Sequence, residues 1–198
     1  AYTGDIPGPR NYNDVIDYHI TAVDASDNSN SATTPDYTFN VVDYGPVFCD
    51  DFETNDLAGW TVETYEPLGT SWGTIDNGDP QFFTAYIQFG SQTQVDHSAM
   101  ISPPIDCSGM TVVDLSFWHF LRMGFSGAYT DAYVRASTNG GVTFDHLIAE
   151  WHANLEPVEI TIEGTELFDI SSFAAGQSDV RIMFEFEDVY DWYWYVDD

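Results

Sequence analysis

Three groups of side chains have the types and spacing that chemistry requires, and the first closes the sequence. Asp191 to Asp198, Asp-Trp-Tyr-Trp-Tyr-Val-Asp-Asp, alternates bulky aromatics and stops on two adjacent carboxylates. Such alternation favours a pleated, half-buried strand, and Asp197 and Asp198 at its end are hard oxygen ligands of the kind calcium takes. The second group lies on the same strand. Trp192, Trp194 and Val196 share one face, and Tyr193, Tyr195 and Asp197 the other. The Trp and Val face is the more apolar and is assigned to the core. Tyr193 and Tyr195 then point outward, where they can stack on sugars, anchor a protein interface, or pack under a loop or the N-terminal hairpin. The third group is His146, Glu150 and His152, which would share a strand face. A zinc protease instead has two histidines four apart on a helix with the Glu between them, so the spacing reads as a solvated sheet face. No Gly-x-Ser-x-Gly elbow is present. Two carboxylates can hydrolyse a glycoside, yet among 33 acidic residues some fall at suitable distances by chance. No catalytic residue is assigned, and the chain is read as non-enzymatic.

The elements that position these groups follow from composition and periodicity. The chain has 198 residues, 33 of them acidic against four arginines, with no lysine and a net charge of -29. Nucleic acid and anionic membranes are excluded as partners by repulsion. The acidity fits divalent cation binding, a high-salt habitat or the solubility of a secreted surface. An aromatic content of 16% separates the chain from disordered acidic sequences. No run is long enough to span a membrane, and the N-terminus is not a signal peptide, so a secreted protein would be present in its mature form. Cys49 and Cys107 sit in similar strand-edge settings. In an oxidising compartment a disulfide between them would contribute about 4 kcal/mol; the alternative is two buried free thiols.

Period-two patterns dominate: Ile16 to Ala22, Tyr37 to Val41, and Ile182, Phe184 and Phe186 against Met183, Glu185 and Glu187. Turn residues cluster at 69–73, 76–80, 102–109, 124–127 and 139–141, spacing that predicts an all-β sandwich. A boundary is placed at 44/45. Residues 1–44 hold two predicted strands, 14–24 and 36–43, and resemble the last two strands of a fibronectin type III or related immunoglobulin-like domain. This two-stranded remnant is marginal alone. It implies either a fragment of a longer polypeptide or a hairpin that adds strands to a neighbouring molecule.

From Val47 onward six motifs occur in order: Asp51-Phe-Glu53, Gly59-Trp60, Ile101-Ser-Pro-Pro104, the strand Val112 to Leu121, Ser137-Thr-Asn-Gly-Gly141 and the terminal Val-Asp-Asp. Together they resemble the bacterial relatives of the MAM domain, the choice-of-anchor J and cleaved-adhesin families. The resemblance covers residues 48–198 and implies a jelly-roll β-sandwich of two antiparallel sheets that binds or adheres without catalysing. It also implies a calcium site in which acidic residues of the first and last strands meet. That role maps onto Glu53 and Asp197, with Asp51, Asp198 and Asp96 as further oxygen donors. Asn139 stands where the family usually has Asp, and Ser137 to Phe144 is read as a structural turn similar to a sialidase Asp-box. The resulting expectation is a calcium-stabilised extracellular or cell-surface adhesion module whose partner is a cell-surface protein, a glycan, or other copies of itself. Two alternatives stand beside it: a filament subunit joined by strand complementation, and a carbohydrate-binding accessory module of a secreted peptidase or glycosidase.

Overall fold

A computed structural model describes residues 15–18, 21–23, 31–33, 37–40, 46–66, 70–76, 83–88, 95–124, 129–154, 159–189 and 192–198. The turns expected at 77–80 and 125–127 lie outside these. The chain divides into two compact units, Ala1–Pro46 and Val47–Asp198.

The described residues of the first unit include four short strands, β1 (Val15–Tyr18), β2 (Thr21–Val23), β3 (Ser31–Thr33) and β4 (Tyr37–Asn40); β1, β2 and β4 fall in the expected strands 14–24 and 36–43, and β3 falls between them. β1 pairs antiparallel with β4 and β2 with β3, so one pair nests inside the other along the chain.

The second unit is a β-sandwich. Its strands are β5 (Thr61–Thr64), β6 (Gly73–Asp76), β7 (Phe83–Gln88), β8 (Asp96–Ile101), β9 (Asp114–Met123), β10 (Tyr129–Ser137), β11 (His146–Asn154), β12 (Ile160–Asp169), β13 (Arg181–Val189) and β14 (Tyr193–Asp197). They form two antiparallel five-stranded sheets, ordered β11-β10-β13-β8-β5 and β12-β9-β14-β7-β6. After β11 the chain alternates between sheets, the jelly-roll pattern the sequence predicts.

Alternation decides which side chains are dry. β12 is partly buried at every second residue along its whole length. On β13, Ile182, Phe184 and Phe186 face the interior, while Met183 is buried on the other side under Phe144 with Ala99 and Ile101. The core centres on Trp194, whose ring lies 5.6 Å from Trp72, 5.7 Å from Phe184 and 5.8 Å from Trp151. Its indole N–H donates to Nδ1 of His119, 3.2 Å away and wholly buried. Burial lowers the His119 pKa, with Glu166 pulling the other way.

The opening segment is pinned from within. Asp50 accepts the Phe52 N–H at 3.0 Å and the Trp60 indole N–H at 2.8 Å. Phe52 is buried against Trp60 even though its φ of 50° is left-handed, a conformation that costs a bulky residue about 1–2 kcal/mol. Packing of the ring offsets that strain.

The turn after β10 is braced as its sequence predicts. Asn139 Oδ1 accepts the Thr143 N–H and Ser137 Oγ accepts the Gly141 N–H, at 3.0 and 2.9 Å, with Gly140 and Gly141 at positive φ.

The expected disulfide is not formed. Cys49 is exposed on the opening segment, whereas Cys107 is buried, and both thiols are free. The Cys107 turn is held in place, its N–H donating to the Gln177 carbonyl and its carbonyl accepting from Met110 and Gly176. Burial pushes the Cys107 pKa up, Asp106 adding to it. Under native conditions iodoacetamide is expected to label Cys49 alone, and mass spectrometry of a denatured sample should show a second adduct.

Candidate functional site

β14 lies between β9 and β7, so its outward side chains occupy the middle of the second sheet's outer face. Trp194 and Val196 are in the core; Tyr193 and Tyr195 are half-buried on the outer face. Register then adds neighbours: Tyr195 sits between Phe120 and Tyr86, and Tyr193 between Arg122 and Gln88. Tyr86 and Tyr195 stack at 5.0 Å, Phe120 and Tyr193 at 5.9 Å, and Tyr193 and Tyr195 are 4.9 Å apart. The result is an aromatic surface across three adjacent strands, which lie about 4.8 Å from one another.

Polar groups edge this surface. The Tyr86 hydroxyl donates to Gln88 Oε1, and burial, with the neighbouring Tyr195 and Tyr193, pushes the Tyr86 pKa up to about 12. Tyr195 shifts in the same direction, mainly through burial. Both hydroxyls therefore stay protonated as hydrogen-bond donors. The Arg122 guanidinium covers the Trp192 ring at 3.7 Å and meets Glu159 Oε1 at 2.5 Å. Sequence reasoning reached Tyr193 and Tyr195 and missed Phe120, Tyr86, Gln88 and Arg122. The signal was there: inward Ala85 and Ile87 force Tyr86 and Gln88 outward, and inward Leu121 forces Phe120 and Arg122 outward.

The acidic residues separate into two places. Asp197 is 1% exposed, and its Oδ2 has no hydrogen-bond partner among the described residues; its Oδ1 accepts the Asp198 N–H at 3.0 Å. Burial raises the Asp197 pKa to about 7, and repulsion from Asp198, Glu53 and Asp51 adds to the rise against the Asp198 hydrogen bond. Asp51, Glu53, Asp197 and Asp198 are thus brought near one another. Asp96 is placed apart from them on β8 of the other sheet, opposite Asp188, where its Oδ1 accepts the Thr70 N–H at 2.9 Å. Among the described residues no three His, Cys, Asp or Glu side chains already form a metal cage. The buried, unpartnered Asp197 oxygen is nonetheless the donor a hard cation would take.

The outer face of the first sheet carries a different network. Asp131 accepts hydrogen bonds from the Tyr129 and Tyr133 hydroxyls and lies 2.6 Å from His152 Nδ1, while Glu150 is 3.4 Å from His152 Nε2. The hydrogen bond to Asp131 raises the His152 pKa. His146 does not join Glu150 and His152 on this face. The register shifts between Val134 and Arg135, pairing Val134 with Ala149 and Arg135 with Leu147, so β11 carries one extra residue at Ile148. The bulge reverses the alternation, and His146 stacks instead on Phe173 at 4.3 Å.

No family model matches the sequence, and a comparison with curated proteins finds no match. Among solved structures, the K1 cleaved adhesin domain of Lys-gingipain from Porphyromonas gingivalis is similar over 76% of this chain and 96% of its own, at 17% identity and a TM-score of 0.49. A carbohydrate-binding module of family 28, specific for non-crystalline cellulose, aligns over 74% of this chain and 88% of its own, at 11% identity and a TM-score of 0.46. The family 11 module from Clostridium thermocellum, in complex with a β-1,3-1,4-mixed-linked tetrasaccharide, covers 75% of this chain and 90% of its own, at 16% identity and a TM-score of 0.43.

Proposed function

We propose that residues 47–198 form a non-catalytic, calcium-stabilised module of a secreted or cell-surface protein, and that the outer face of β9, β14 and β7 binds a glycan. The observation that carries this reading is the continuous row of Phe120, Tyr195 and Tyr86 with Tyr193 beside it. Sugar C–H faces stack on such rings, and the tyrosyl hydroxyls and the Gln88 amide can reach the ring hydroxyls. These groups supply π faces and hydrogen bonds. The raised pKa values of Tyr86 and Tyr195 keep those two hydroxyls protonated at physiological pH.

Titration of a soluble glycan panel tests the reading. Tyr195→Ala and Tyr86→Ala are each expected to weaken binding about tenfold or more while leaving the melting temperature within a few degrees. Silence of the wild type across the panel would overturn the reading. Loss of self-association in the same variants would reassign the face to a protein contact.

The calcium part of the reading is supported by the burial of Asp197 and the acids around it. Asp197 would bind the ion, with Asp51, Glu53 and Asp198 as neighbours and backbone carbonyls completing the coordination. Its chemistry there is charge neutralisation and bracing of the first and last segments of the unit.

A further inference from the structure

We propose that the aromatic face selects uncharged glycans and rejects those carrying uronate or sulfate groups, with the Arg122–Glu159 ion pair setting that preference. The inference rests on the glycan reading above and deepens it. An anionic sugar needs an available cation, usually an arginine that can grip it in a bidentate way. Arg122 is the cation in the rows that hold Tyr193, Tyr195, Phe120 and Tyr86, and it is already committed. Its Nε and Nη2 approach Glu159 Oε1 at 2.6 and 2.5 Å, and its plane lies on Trp192. The rest of the face adds negative charge. Glu163 stands in the Phe120 row, and at the far end Asp114 lies opposite Asp169. An incoming carboxylate would therefore have to displace Glu159 or sit beside other carboxylates. Either costs binding energy that a neutral chain keeps. Arg122 acts instead as a backing plate that fixes the Trp192 ring at the edge of the surface.

The test uses pairs of oligosaccharides matched in length and linkage, one neutral and the other oxidised at C6 to the uronate. The full chain is expected to bind a neutral member at least about tenfold more tightly than its uronate, and the gap should narrow at about 0.5 M salt, where surface charges are screened. Glu159→Gln, checked for folding by its melting curve, frees Arg122 and should narrow the gap by strengthening uronate binding. A uronate that binds the wild type as tightly as its neutral partner overturns the selectivity and leaves glycan binding standing. A gap unchanged in Glu159→Gln overturns the role of the ion pair. If no member of either series binds, the glycan reading itself falls, and the selectivity with it.

Discussion

Truncating Trp194 to alanine is expected to cost about 3–5 kcal/mol, a large part of the stability of a domain this size. The indole is wholly buried and touches both halves of the core, with His119 from its own sheet, Trp72 just ahead of β6, and Trp151, Phe184 and Phe186 from the other sheet. The substitution opens a cavity that five rigid neighbours cannot close. It also removes the donor to His119 Nδ1, and the buried acceptor left unmet accounts for about 1–3 kcal/mol of that loss. Trp194→Phe separates the two effects, because it keeps most of the packing and removes only the N–H. Urea unfolding monitored by fluorescence and circular dichroism should place Trp194→Phe well between wild type and Trp194→Ala. If Trp194→Ala costs less than about 1 kcal/mol, the ring is not the centre of the core.

Calcium should raise the melting temperature, and Asp197 should control both the size of that rise and its dependence on pH. Ion at one hundred times its dissociation constant contributes about 2.7 kcal/mol, which is roughly 5–10 °C for a domain of this length. Without the ion, the folded state holds a proton on Asp197 up to about pH 7, whereas the unfolded chain releases it near the ordinary carboxyl value of 3.8. A raised carboxyl pKa means that stability is fully present below the unfolded value and is lost as pH rises through 7. In chelator, the Asp197 contribution should therefore grow as pH falls from 8 to 4. His119 runs the other way, because its lowered pKa removes stability on acidification. The difference between wild type and Asp197→Asn isolates the carboxyl. That variant should melt higher than wild type at pH 8 in chelator and should gain nothing from calcium. A calcium rise of equal size in both proteins would refute the site.

The sandwich was legible in the sequence because one-sided strands write their burial as alternation, and Ile182, Phe184 and Phe186 fall where that rule puts them. The first unit was less legible. Among the described residues, β1 and β2 lie within the expected strand 14–24 yet pair with different partners, and β3 falls between the two expected strands, in a stretch that alternation does not mark. Around Ile148 the rule fails for a physical reason: one extra residue exchanges inside for outside, and sequence spacing then groups His146 with partners it does not face. Cys49 and Cys107 were matched by local context, which carries no information about exposure. The aromatic surface was half visible, since Tyr193 and Tyr195 lie within one strand, whereas Phe120 and Tyr86 reach them only through a register that pairs segments distant in the chain.

The position of β14 bears on how this unit comes to exist. It is the last strand in chain order, yet it fills the central slot of its sheet and brings in the core's central indole. Until it docks, β9 and β7 present two open edges to each other and the interior lacks its keystone. As the chain is synthesised, this unit would therefore stay incomplete until β14 arrives, and would then close in one cooperative step. A protease would find every copy that lacks β14 open to cleavage.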